Sequence, residues 1–155
     1  MKMQHTNLPA LGLALALSAA PLTSFAGQFF ETNGFAIKGF DTVEYFTGKR
    51  AVKGSPAYSA LYKDSKFLFA SKDNRDLFVA NPTKYAPQFD GFCAYGVAKG
   101  AKAKTEGEAF KIVEGKLYLN YDKSIQNDWE ENQDENITKA DAKWAAVAQQ
   151  TKVVQ

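Results

Sequence analysis

The chain has 155 residues, of which 45% are hydrophobic and 23% charged, and its formal net charge is +2. This length suits one domain with its own core, and so small a charge gives no field for steering nucleic acid or an anionic membrane, so we expect no nucleic-acid partner. Cys93 is the sole cysteine, which excludes an internal disulfide.

The first 26 residues have the layout of a secretory signal peptide. Lys2 precedes an apolar run over residues 8–20, and Ser24 and Ala26 form the small-x-small pattern that a signal peptidase accepts. We therefore expect cleavage near Ala26, a mature chain over residues 27–155, and a periplasmic or secreted location. No later stretch approaches the roughly 20 apolar residues of a membrane span, so we expect none.

The predicted leader also contains residues that would otherwise suggest chemistry. The only histidine, His5, and the only methionines, Met1 and Met3, lie within it. The mature chain therefore lacks the imidazole of Ser-His-Asp and Cys-His catalysis, and the imidazole and thioether ligands that most zinc and copper sites use. Because no catalytic constellation is recognisable, we predict that the chain is not an enzyme. Cys93 is the one strong soft ligand left.

The first predicted elements of the mature chain are extended. Residues 35–49 read as two short extended pieces around residues 39–41. The next segment reads as a hairpin that turns at residues 63–65 and places Phe67 and Phe69 on one face.

Helices are predicted to follow this hairpin. Ser71 is a good N-cap for a helix that ends before Pro82, with Leu77 and Phe78 facing the core. A second, short helix is predicted over residues 93–99.

In that short helix Cys93 lies in the first turn, and Gly100 closes the C-terminal end. The alternating apolar residues that come next predict a second hairpin, which turns at residues 114–115.

Two helices are predicted to close the chain. The first covers residues 124–132, with Ile125 and Trp129 on one face, and the second covers residues 137–149. The apolar stripe of the second helix consists of Ile137, Ala140, Trp144 and Val147. Strands first and helices at the end predict a single α+β domain over residues 27–155.

Three motifs carry a resemblance to a known family: YFTGK, FVANPTKYAPQFDGFCAYG and EGKLYLNYDKSIQNDW. With them the chain resembles the YHS-domain proteins, specifically their exported bacterial group, from about Phe35 to Trp144. The resemblance implies a small α+β fold and a metal-binding role, with copper as the metal, because related domains accompany copper transporters. Of the residues that such a protein would use as ligands, only Cys93 is matched, and Val97 stands where some members have a methionine.

Three interpretations of Cys93 remain open. In the first interpretation it is a buried structural residue, since free cysteine is among the most buried residue types. It is a soft-metal ligand, which for copper(I) held by two thiolates requires a homodimer or a partner protein's cysteine. Or it is a site of thiol redox or mixed-disulfide chemistry, activated by the helix dipole with help from Lys99 or Lys102.

A pocket around the thiol is a further hypothesis. Its candidate lining residues are Tyr85, Phe89, Phe92 and Tyr95, although an aromatic cluster is more often part of a core. Asp90 reads as a turn residue that also lies within reach of an oxygen-ligand site.

Overall fold

The computed structural model describes residues 27–155, so the predicted signal peptide, residues 1–26, lies outside it. Within the described part the chain forms a single α+β domain of three antiparallel hairpins and six helices, which confirms the predicted fold class. The strands are β1 (Glu31–Thr32), β2 (Phe35–Ala36), β3 (Ser55–Tyr62), β4 (Ser65–Phe69), β5 (Glu106–Val113) and β6 (Lys116–Asn120). The helices are α1 (Glu44–Thr47), α2 (Lys72–Ala80), α3 (Pro82–Tyr85), α4 (Ala94–Ala98), α5 (Lys123–Glu130) and α6 (Gln133–Val147).

The prediction of two extended pieces over residues 35–49 is wrong beyond β2. A 3-10 turn follows at Ile37–Gly39, and the second piece is helix α1. The reason is Asp41, whose Oδ1 accepts the backbone N–H groups of the two residues that open the helical turn, at 2.8 and 3.4 Å. This local capping outweighs the strand preference of the aromatic and β-branched residues around it.

The β3–β4 hairpin is confirmed, with its turn between Tyr62 and Ser65. Phe67 and Phe69 are both fully buried and lie on one face, as the alternation predicted. The ring of Phe78 from α2 packs against both, with centroids 4.8 and 5.0 Å away. These three rings form the centre of the core on this side of the domain.

Helix α2 begins as predicted, because Ser71 Oγ accepts the N–H of Asn74 at 3.1 Å. The prediction for Leu77 is wrong: its side chain is 44% exposed, while that of Phe78 is buried. Consecutive helical residues point about 100° apart, so a small helix on a hairpin buries one of them and leaves the other in solvent.

The second half of the fold is built on the confirmed β5–β6 hairpin, whose turn is at residues 114–115. Helices α4, α5 and α6 pack beside it, and the predicted stripe of α6 faces inward, with Ala140 and Val147 fully buried. Helix α6 begins at Gln133, earlier than predicted. Asn136 in its first turn donates a buried hydrogen bond from Nδ2 to the Trp129 carbonyl of α5, at 2.9 Å, which favours the early start.

A third group of buried residues joins the two halves. Ile37, Phe40 and Tyr45 of the first half pack against Leu117 and Leu119 of β6. Over residues 27–155, no helix combines the length and the apolar character needed to cross a membrane.

Candidate functional site at Cys93

Cys93 immediately precedes α4 and acts as its N-cap. The Sγ atom accepts the backbone N–H of Gly96 at 3.3 Å, the bond that a serine or aspartate side chain makes at most helix starts. Gly100 follows the helix with a φ of +86°, in the left-handed region where glycine is favoured. The predicted short helix is therefore confirmed, with the thiol at its N-terminal end.

A second hydrogen bond ties the thiol to the end of β6. The Cys93 thiol donates to Asn120 Oδ1 at 3.7 Å, and the backbone N–H of Tyr95 donates to the same oxygen at 3.1 Å. Since a main-chain N–H needs an acceptor, this contact fixes the oxygen of the Asn120 amide toward α4. Both side chains are buried, Cys93 at 1% and Asn120 at 0% exposure.

Asn120 is a site residue that the sequence analysis missed. Its only signal is that a carboxamide ends strand β6 directly after the buried residues 117–119. Its Nδ2 is buried with no hydrogen-bond partner among the described residues. An unpaired buried donor costs roughly 1–3 kcal/mol. The two hydrogen bonds that Oδ1 accepts offset this cost.

The surroundings of the thiol do not favour its activation. Burial raises the pKa of Cys93 above its ordinary value, and the N–H groups that point at the sulfur only partly oppose this. Helix α4 has five residues, too few for a strong dipole. Lys99 Nζ lies over the ring of Tyr95, and Lys102 Nζ donates to a backbone carbonyl 3.0 Å away, so both amines are occupied elsewhere.

A pocket of about 310 Å³ opens beside the thiol. It lies between the first turn of α4, the loop that follows this helix, and the start of α5. Its walls are mainly apolar, and the residues that form them are Cys93, Tyr95, Gly96, Lys99, Ala103, Tyr121, Asp122 and Ile125.

Gly96 gives the pocket its narrow floor. A Cβ atom at this position would lie 3.2 Å from the carbonyl oxygen of Ala101 and 3.2 Å from the Cβ of Ala103. These distances are tighter than ordinary packing, so a side chain at position 96 would push the loop slightly away from α4. Asp122, on the other side, caps α5 by accepting the N–H of Ile125 at 2.8 Å.

Among the predicted aromatic lining residues, Tyr95 alone borders this pocket; the assignment of the other three is wrong. Tyr85 packs edge-on against Phe46 in the first half of the core. Two more rings are held by partners away from the sulfur: Phe89 packs against Tyr118 and Trp144, and Phe92 packs against Phe30.

The physical reason is the backbone at residues 88–91. Phe89 and Asp90 both adopt left-handed conformations, with φ of 52° and 50°, which turn their side chains away from the thiol. They border a separate cleft of about 170 Å³. The Asp90 carboxylate accepts from Gln28 Nε2 at 2.9 Å and borders this cleft, not the pocket beside Cys93.

The donors around the thiol do not form a copper site within one chain. Over residues 27–155, no group of three or more His, Cys, Asp or Glu side chains lies close enough together to hold a metal ion. The nearby carboxylate of Asp122 is engaged as a helix cap. Cys93 is the one soft donor among the residues that line the pocket. Copper(I) is commonly held by at least two soft ligands, of which residues 27–155 of one chain supply Cys93.

Comparisons with family models, with curated proteins and with solved structures gave no match to this chain. The resemblance to the YHS-domain proteins therefore stays a prediction.

Proposed function

We propose that residues 27–155 form an exported, YHS-like binding domain that catalyses no reaction and holds a compact, mainly apolar molecule in the pocket beside Cys93. The proposal of export is supported by the predicted leader at residues 1–26. The proposal of a YHS-like domain is supported by the motifs around Asn81–Gly96. The observation that carries the choice of ligand is the mainly apolar pocket between α4 and α5.

The size and lining of the pocket support this ligand class. A volume of about 310 Å³ lies at the lower end of the range for small-molecule sites, so a compact molecule suits it. The rings of Tyr95 and Tyr121 offer flat faces, and Ile125 and Ala103 offer aliphatic contacts. Lys99 at the rim is the one basic group in the lining.

The electrostatics of the thiol favour binding over thiol chemistry. Thiol exchange and metal ligation both require the thiolate, whereas burial raises the pKa of Cys93 and keeps the proton on the sulfur. The thiol proton already has an acceptor in Asn120 Oδ1. Cys93 therefore serves as a wall of the pocket and as the cap of α4.

The test uses indole as a flat, neutral probe. We expect saturable binding of indole to the purified protein by isothermal titration calorimetry, with amide shifts in NMR spectra at Tyr95, Gly96 and Tyr121. The variant Ile125→Trp places a large ring in the pocket mouth and should abolish binding. The control Val79→Trp makes a comparable change on the exposed face of α2, where the side chain is 60% exposed, and should bind like the wild type.

Indole binding that survives Ile125→Trp unchanged, in a variant whose NMR spectrum shows an intact fold, would place the ligand elsewhere and contradict the proposal. Absence of saturable binding in the wild type would also contradict it.

A further inference from the structure

A second pocket, of about 580 Å³, lies on the opposite side of the β5–β6 hairpin from α4, where α1, β5 and α5 meet. Its residues come from these three elements and from the turn after α1. They are Tyr45, Phe46, Lys49, Phe110, Lys111, Ile112, Lys123 and Gln126. None of them borders the pocket beside Cys93, so the two sites are separate.

Aromatic rings form the floor of this second pocket. Tyr45 is fully buried, and its ring centroid lies 4.6 Å from that of Phe110. The Tyr45 hydroxyl donates to the Gly107 carbonyl at 2.8 Å, which fixes the ring in place. Phe46 packs edge-on against Tyr85 behind it. Tyr45 has no exposed surface and supports the floor from beneath, while the half-buried rings of Phe46 and Phe110 present the apolar faces.

Lysine amines surround this floor. Lys49, Lys111 and Lys123 all belong to the lining, which contains no carboxylate. Lys111 is paired with Glu130 at 3.1 Å, whereas Lys123 donates to the uncharged Gln126 Oε1 at 3.0 Å. Lys49 makes no ion pair with any other residue of the described range 27–155. Two of the three positive charges are thus free to bind an anion.

Gln126 completes the polar side of the pocket. It is buried, and its Nε2 donates to the Phe110 carbonyl at 2.9 Å and to Glu130 Oε1 at 2.6 Å. These bonds hold Glu130, which is not among the lining residues, in its ion pair with Lys111, so that the charged groups of the lining itself are the three lysines. Aromatic faces next to unpaired amines are complementary to a molecule that is apolar at one end and acidic at the other.

We propose that this pocket binds a small organic anion with a flat apolar body. The body lies on the half-buried rings of Phe46 and Phe110, and the acidic group accepts hydrogen bonds from Lys49 and Lys123. The volume of the pocket falls within the range of sites for molecules of this size, which favours a small molecule over a peptide.

The test compares two probes of the same shape, 1-naphthoate and 1-naphthalenemethanol, by NMR titration of the ¹⁵N-labelled full chain. We expect naphthoate to shift the amides of Phe110, Ile112 and Gln126 with a saturable isotherm. The alcohol should bind at least about tenfold more weakly, because it cannot make charge-assisted hydrogen bonds. High salt should weaken the binding of naphthoate and leave the binding of the alcohol unaffected.

Variants distinguish the contribution of the lysine charges to binding from the contribution of the shape of the pocket. The double variant Lys49→Gln/Lys123→Gln should lose about tenfold or more in affinity for naphthoate and retain its affinity for the alcohol. The control Lys152→Gln removes one exposed positive charge near the C-terminus and should bind naphthoate as the wild type does. Equal affinity for the two probes, or naphthoate affinity unchanged in the double variant, would overturn the proposal, as would shifts confined to residues outside the pocket.

Discussion

The sulfur of Cys93 lies 3.7 Å from Oδ1 of Asn120, and this hydrogen bond joins the start of α4 to the end of β6. Gly96 N–H and Tyr95 N–H complete the arrangement, one bonded to each of the two side chains. The lone thiol of this protein is therefore part of a buried polar network that fixes one wall of the pocket. Its first role is to hold that wall in place.

We expect Cys93→Ala to destabilise the protein by about 1–2 kcal/mol, because the Gly96 N–H loses its cap and Asn120 Oδ1 loses a donor. Cys93→Ser should cost less, since a hydroxyl accepts from Gly96 and donates to Asn120 in the same way. Urea unfolding measures both free energies of unfolding. Ser71→Ala, which removes the cap of α2, provides the matched comparison at about 1 kcal/mol. An alanine variant as stable as the wild type would refute the capping role.

Alkylation of Cys93 should be slow and should require high pH. Burial raises the pKa of the folded thiol above the unperturbed value of about 8.5, so the reactive thiolate is scarce at neutral pH. We expect the rate of reaction with iodoacetamide to rise with pH, with a midpoint above that value. Unfolding in urea should increase the rate sharply. A midpoint below the unperturbed value would instead support thiol redox chemistry.

Substitution of Asp41 should be among the most damaging changes in the first half of the fold. Its fully buried carboxylate accepts two N–H groups at the start of α1, the Ala70 N–H at 2.8 Å and Asn74 Nδ2 at 2.7 Å. We expect Asp41→Ala to cost about 3 kcal/mol or more by urea unfolding, because several buried donors lose their acceptor together. The exposed Asp73→Ala serves as control, and a loss below about 1 kcal/mol for Asp41→Ala would contradict this role.

Copper(I) should leave the protein monomeric. Residues 27–155 of one chain offer one thiol, which is buried, and burial raises its pKa above the ordinary value. Light scattering with increasing copper(I), in a non-thiol reductant that prevents disulfide-linked dimers, should show a monomer at every ratio, and wild type and Cys93→Ser should bind copper equally weakly. Conversion to a dimer at about half a metal per chain would instead establish two Cys93 thiolates sharing one ion.

Local signals in the sequence were sufficient to predict several elements of the fold. The β3–β4 and β5–β6 hairpins alternate apolar and polar residues around clear turns, and the N-cap at Ser71 needs only neighbours three residues away. The short helix after Cys93 is likewise marked by Gly100. Each of these features depends on contacts between residues close in the chain.

The errors arise where distant residues decide the structure. Asp41 caps α1 locally, but its carboxylate is fixed in place by the hydrogen bond that it accepts from Ala70 N–H, 29 residues away. Asn120 reaches Cys93 across 27 residues, which no local pattern reveals. The aromatic lining was assigned by proximity in the sequence, but Phe89 has a left-handed backbone, and Tyr85 and Phe92 pack against the distant Phe46 and Phe30.

The most direct test of the account is a crystal structure of the protein soaked with 4-bromoindole, in which anomalous scattering from bromine locates the ligand without bias. We predict a bromine peak in the pocket between Tyr95 and Tyr121, with the indole ring against Ile125 and the hydrogen bond between Cys93 and Asn120 intact. A well-ordered crystal with this pocket open to solvent and no bromine peak in it would contradict the claim that it is the ligand site.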